Sequence, residues 1–492
     1  MAHTTDSAPS PRSVWSYAAV GLAGSALVAY AAPRAVADHV VGWWYMPGAP
    51  SGRGHSLVLV YIGMAVLCGA WLGLGRALPS RRALLVIAAA WMVPLALAPP
   101  LFSRDVYSYL AQGLILHLGH SPYHTAPAAL AGLGHQHVLD AVSPFWRHTT
   151  APYGPLFLGL VSVVAAAVGN HLVAGVLLTR LLEVVGAALL AVYVPRLARS
   201  MGSDGRRALW LALLSPLVTL ELIVAGHNDL LMVGMLVAGI AYALDGRPML
   251  GVAICALATT VKVPALAGAA FIAVAWGREE LGRGAQVRFM GAAALLALAV
   301  LGVVTLVAGV GADWLSTSLF STPAKVRLAI TPATGLGYTV ASLLSDVGIG
   351  VSHRGLEGVF GVVAFGLTAV TGAVLLYRVR VGRLVPWLGA FLVIAAAGGP
   401  AAWPWYFLWG LALLCALRAP QRSTGLALAI AVSVFVVKPN GILALPLQSA
   451  PAVMIVYALI GAAVWQQGRR RRRQRPSPAP VRESTPSALA GT

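Results

Sequence analysis

The chain has 492 residues, 59% hydrophobic and only 10% charged, which is too little polar surface to cover a soluble core of that size. The formal charge of +19 does not mark a nucleic-acid binder, because the basic residues lie in short clusters between apolar runs and in one block, Arg469 to Arg473 with Arg475. The three cysteines, Cys68, Cys255 and Cys415, fall inside apolar runs and leave no disulfide framework or zinc site to read.

Apolar runs recur from end to end, and in lipid each spanning piece must satisfy its own backbone as helix. The reading is therefore all-α, a polytopic membrane protein of about 14 transmembrane helices. The first run follows MAHTTDSAPSPRSVW and is about 20 residues long, too long for a signal-peptide core, so it reads as a retained helix. Spans are expected near 14–33, 57–78, 83–100, 172–195, 208–225, 229–245, 248–262, 264–277, 289–310, 357–377, 384–398, 406–418, 423–437 and 450–467. Together they make 1–467 one membrane domain. Residues 468–492 are a basic, Pro/Ser-rich tail expected to be disordered and cytoplasmic.

The arginine clusters orient the map. If Arg76/Arg81/Arg82 are cytoplasmic, then so are Arg196 to Arg207, Arg278 to Arg288, Arg378 to Arg383, Arg418/Arg422 and the terminal block, and both termini lie inside. Two apolar stretches, 154–170 and 334–348, would break that alternation as full spans and are read as re-entrant or interfacial. The same map gathers the polar interruptions on the outer face: Ser103-Arg104-Asp105, the long loop 101–153, Gly226-His227-Asn228-Asp229, Lys262, the loop 311–333, Trp403-Pro404-Trp405-Tyr406 and Lys438-Pro439-Asn440-Gly441. A site belongs there.

Each interruption has two readings. Asp105 opens DVYSYLAQGLILHLGHSPY, expected as an amphipathic helix on the outer surface; its carboxylate either caps that helix or acts as a general base at the lipid interface. The loop after it is rich in Pro, His and aromatics, and Pro152-Tyr153-Gly154-Pro155 fixes its exit. Six of the twelve histidines lie there (His117, His120, His124, His135, His137, His148); they are solvated, or less readily metal ligands, since His135-x-His137 does not share a helix face. Glu221 and His227-Asn228-Asp229 form a polar hairpin turn, or hold a phosphate and sugar. Lys262 is a snorkelling anchor or a clamp for a phosphate, with Arg104, Arg147, Lys325 and Arg327 as competing cations. Arg180 and Glu183, three apart, are expected to neutralise each other.

In order, SRDVYSYLAQG, SPY, WRHTTAPYGPL, GHNDLLMVGMLVAG, VKVPAL, TPATGLG and WPWYFLW resemble the actinobacterial polyprenol-phosphate-mannose-dependent α-1,6-mannosyltransferases, over roughly residues 60 to 440. The resemblance implies a C-type glycosyltransferase fold in the plasma membrane. It implies an enzyme that takes mannose from a polyprenyl phosphate outside the cytoplasm and extends the mannan core of lipomannan and lipoarabinomannan. By the same resemblance Asp105, just after an early helix, is the catalytic base. Many relatives in the wider superfamily carry two adjacent acids here, whereas this chain has Arg104 beside Asp105, which implies a metal-independent reaction without a cofactor. On that footing His227, Lys262 and Arg104 hold the departing phosphate, Asn228 and Asp229 grip the donor sugar, and Tyr153 or Trp403 stack on it or serve as interfacial anchors. The partners are the lipid-linked donor, a glycolipid acceptor and membrane lipid. Transfer of arabinose or glucose from a similar donor, or a lipid-linked sugar flippase, are the alternatives; matching broken-helix repeats in the two halves, which a transporter would show, are not seen.

Overall fold

The computed structural model describes residues 11–36, 43, 53–317, 331–399 and 401–458. Helices α1 (Pro11–Ala35) and α2 (Arg53–Ala77) pair at their glycines and lead to α3 (Arg81–Ala96), which Ser80 starts by accepting from the Ala83 amide. Then come α4 (Asp105–His117), the first long loop with the short helices α5 (Gln136–Ala141) and α6 (Pro144–Arg147), then α7 (Pro155–Val168) and the long α8 (Leu172–Ser200). Helix α9 (Gly205–Ala212) runs into a π-helical segment, Leu217–Val224, bent from it by 45° after Ser215-Pro216. Beyond it lie α10 (Asp229–Leu244), α11 (Pro248–Thr259), α12 (Leu266–Gly277) and α13 (Arg283–Val307). The remainder is α14 (Pro332–Asp346), α15 (His353–Arg378), α16 (Leu384–Gly398), α17 (Leu408–Leu414) and α18 (Thr424–Ser433).

The protein is all-α and multi-pass. Among the described residues six helices are long and apolar enough to cross a membrane, or seven if the bent pair counts as one span; other expected spans are shorter apolar helices of 10–17 residues. The polar interruptions explain the shortening, since His227, Asn228 and Lys262 fall at helix breaks. At 14 and 15 residues, α7 and α14 are about 21–23 Å long, short of a hydrocarbon core of about 30 Å. The basic tail, Lys325 and Arg327 lie outside the described residues.

Two expectations are corrected. Helix α4 does not lie on the outer surface: ten consecutive residues, Val106 to Ile115, are buried between α7 and α8. Gly113 permits this, because a Cβ there would sit 2.5 Å from the Val161 carbonyl oxygen of α7. Its polar residues Ser108 and Gln112 are themselves buried.

Arg180 and Glu183 do not pair either. The Arg180 guanidinium donates to the carbonyls of Ala96, Ala98 and Val224, at the ends of α3 and the π-helix, where backbone acceptors have no helical partner. Glu183 is fully buried, its carboxylate turned toward the first turn of α10, near Asp229 and the Leu231 amide. That approach depends on Gly186, where a Cβ would meet the Leu230 carbonyl at 2.4 Å.

Among the described residues, basic clusters far apart in the sequence meet. Arg418 Nε donates to the Gly202 carbonyl, and Arg380 Nη1 to that of Arg278, at the end of α12 opposite Lys262.

Candidate active site

A cavity of about 720 Å³ opens where the polar interruptions meet. Its mouth is lined by Arg104, Asp105, Trp146, Tyr153, Lys262 and Trp403. From there it continues between α12, α15 and α16 along an apolar wall that includes Phe271, Phe365, Ala369, Gly372, Phe391 and Ala396. The joint between polar mouth and oily groove is its main chemical feature.

Asp105 is aimed by a strained turn. Phe102, buried, has φ +65°, a conformation that costs a non-glycine residue about 1–3 kcal/mol, and its amide donates to the Pro439 carbonyl at 2.9 Å. Ser103 Oγ then accepts from the Asp105 amide at 3.0 Å. The serine therefore takes the capping role, and the Asp105 carboxylate is turned elsewhere. Trp146 Nε1 donates to its Oδ1 at 2.7 Å, and His227 Nδ1 lies 3.5 Å from Oδ2. With 19% of its side chain exposed, Asp105 is both held and reachable.

His227 is buried beneath an aromatic stack. Its ring lies 4.2 Å from Trp405, which stacks in turn on Trp403 at 4.8 Å. It sits in the break between the π-helix and α10, and burial holds it below the ordinary imidazole pKa, with Asp105 and Asp229 pulling the other way.

Lys262 is fixed just before α12. Its Nζ donates to both oxygens of the fully buried Asp229, at 2.9 and 2.8 Å, and stands 4.5 Å over the ring of Tyr406. Trp409 Nε1 supplies a third bond to Asp229 at 2.6 Å. The segment is registered against the exit of the first loop: the Gly154 amide donates to the Val261 carbonyl at 3.1 Å, and a Cβ at Gly154 would lie 2.3 Å from the Thr260 oxygen. That contact explains the Tyr153-Gly154-Pro155 sequence.

The structure thus brings Arg104, Asp105, Tyr153, Lys262 and Trp403 to one cavity, and places His227, Asn228 and Asp229 directly behind its wall. Asn228 is fully buried without a side-chain partner. Arg147 is directed into its own loop, donating to the Val142 and Asp140 carbonyls. Among the described residues no three His, Cys, Asp or Glu side chains gather as metal ligands, and His124 pairs with Asp313 at 3.1 Å. Sequence reasoning gave no role to Trp146, Trp405 or Trp409, whose indoles contact the titratable groups; the crowding of aromatics in WPWYFLW was the available signal for the last two.

Residues 17–278 match the family described as alpha-(1->6)-mannopyranosyltransferase, N-terminal domain, and residues 333–467 match the MptB C-terminal domain. The chain belongs to the alpha-(1->6)-mannopyranosyltransferase family. Alpha-(1->6)-mannopyranosyltransferase A of Mycobacterium tuberculosis is 36% identical over 408 residues, 79% of this chain and 77% of that one. A probable alpha-(1->6)-mannopyranosyltransferase of Mycolicibacterium smegmatis is 33% identical over 86% of this chain and 82% of its own. Alpha-(1->6)-mannopyranosyltransferase A of Corynebacterium glutamicum is 30% identical over 75% and 80%. No solved structure matches the chain. As a family member the chain is a membrane glycosyltransferase, and its cavity draws on both matched segments, Asp105 and Lys262 from the first, Trp403 and Asn440 from the second.

Proposed function

We propose that the enzyme transfers mannose from a polyprenyl-phosphate donor to the 6-hydroxyl of a mannan glycolipid on the extracytoplasmic face of the plasma membrane. The α-(1→6) mannosyl link is what its family makes, and the chain is a mannosyltransferase. The observation that carries the donor assignment is the continuity of the cavity, whose ionisable mouth leads into a groove of aromatic and small apolar side chains between α12, α15 and α16. A sugar phosphate fits the first part and an isoprenoid tail the second.

In the reaction, Asp105 takes the proton of the acceptor 6-hydroxyl as that oxygen bonds to the anomeric carbon. The donor phosphate leaves with the electron pair of the broken C–O bond, and inversion at a β-linked donor gives the α product. Lys262, reinforced by Tyr406 and Asp229, faces the charge that grows on the departing phosphate. Tyr153 and Trp403 form the wall on which the sugar rests. His227 and Asn228 act from behind it, and His227 backs the base. The arginine-rich ends face the cytoplasm by the positive-inside bias, which puts the cavity mouth and Asp105 outside and both termini inside.

Membranes carrying Asp105→Asn, incubated with labelled lipid-phosphate mannose and acceptor, should form product about 10² to 10⁴ times more slowly than wild type at matched expression. Equal rates would reject the base. Product in unsealed membranes separates an enzyme from a flippase, which needs two compartments.

A further inference from the structure

Arg104 stands next to Asp105 at the cavity, and its guanidinium is bound to the first loop. Its Nε donates to the Ala141 carbonyl at 3.0 Å and its Nη2 to the Asp140 carbonyl at 3.1 Å, the free acceptors at the end of α5. Arg147 reaches the same Asp140 carbonyl from the other side, at 3.2 Å. Two cations thus converge on one carbonyl and pin the chain on both flanks of Ser143-Pro144.

Between the pinned points, α6 returns over the cavity mouth. Phe145 packs edge-on against Trp146, centroids 5.1 Å apart, and Thr149 Oγ1 donates to the Phe145 carbonyl at 3.2 Å. This places the Trp146 N–H at 2.7 Å from Asp105 Oδ1.

We infer that Trp146 is a positioning residue for Asp105 and that Arg104 is the latch that keeps it in place. The inference rests on the base role proposed above. A carboxylate offers about four lone-pair directions on two oxygens and can rotate between them. With Oδ1 engaged by the indole, rotation is arrested and Oδ2, 3.5 Å from His227 Nδ1, is turned to the acceptor hydroxyl. The bond is charge-assisted and short, so it holds that orientation firmly. The adjacent Arg and Asp then divide the work: one closes the loop, the other takes the proton.

The groups around Asp105 make the effect separable. His227, Tyr109, Tyr153 and Tyr406 interact with it, Asp229 stands beyond His227, Arg104 is its neighbour and Lys262 shares its cavity. Trp146 carries no charge, so replacing its N–H leaves every one of these charges in place.

The test uses full-length protein in membranes, labelled lipid-phosphate mannose and acceptor, with initial rates followed against donor concentration. Trp146→Phe keeps the aromatic packing and removes only the donor. It should lower kcat by about ten- to a hundredfold while leaving the donor KM within about twofold, because the carboxylate stays in the cavity but loses its orientation. Arg104→Gln, which releases the latch, should lower kcat in the same way and serves the test alone if Trp146→Phe does not accumulate. A wild-type kcat in Arg104→Gln or in accumulated Trp146→Phe, while Asp105→Asn is inactive, overturns the positioning role alone. Wild-type rates in Asp105→Asn would instead remove the base reading beneath it.

Discussion

Lys262 and Asp229, 33 residues apart, form a two-bond ion pair against the active-site cavity, with Nζ at 2.9 and 2.8 Å from the two carboxylate oxygens. Asp229 is fully buried and only 15% of the lysine side chain is exposed, so neither charge has much water to fall back on. Removing one partner strands the other, which costs about 3–5 kcal/mol in buried pairs. Asp229→Ala should therefore lower the thermal unfolding midpoint of the detergent-purified protein sharply. The double variant Asp229→Leu/Lys262→Met should recover much of that loss while staying inactive, because the groove would keep its shape but lose its cation. An Asp229→Ala protein as stable as wild type would mean that the pair does not form.

The buried imidazole gives stability a pH dependence whose sign is fixed. Burial keeps the folded His227 below its ordinary pKa, Lys262 acts in the same direction, and Asp105 and Asp229 oppose it. An unfolded chain takes up this proton near pH 6.5, while the folded protein resists. The contribution of His227 is thus complete above about 6.5 and is lost as pH falls below it. Unfolding midpoints at pH 7.5 and 5.5 should differ less in His227→Gln than in wild type. Identical pH dependence in the two proteins would place the imidazole in water, contrary to its stacking on Trp405.

The apolar groove predicts a dependence on the donor tail. Ala369 of α15 lines the cavity and is itself exposed, so a larger side chain there occupies groove space without displacing a packed neighbour. Ala369→Trp should cut activity with a long polyprenyl donor by at least about tenfold, since an occluded groove forfeits several buried methylenes at about 0.8 kcal/mol each. Activity with a donor of two or three prenyl units should survive. An equal loss with both donors would move the tail to another path.

The sequence by itself determined the solvent and the class of the fold, because hydropathy sums along the chain: long apolar runs must become helices in lipid whatever they pack against. It also picked out Asp105, Tyr153, His227, Lys262 and Trp403, since an ionisable or aromatic group interrupting such runs is costly enough to stand out, and the order of the motifs carried the family. Pairings were beyond it. Lys262 with Asp229, Trp146 with Asp105, 41 residues on, and Trp409 with Asp229, 180 residues on, meet only because helices cross at particular heights. Those heights are set by small-residue contacts such as Gly113 against Val161 and Gly186 against Leu230, whose effect is felt across space and leaves no periodicity in the sequence. For the same reason α4, with the composition of a surface helix, lies buried, and Arg180 serves two helix ends rather than its neighbour Glu183. Hydropathy is a local sum; a hydrogen bond between distant segments is a property of how the whole bundle packs.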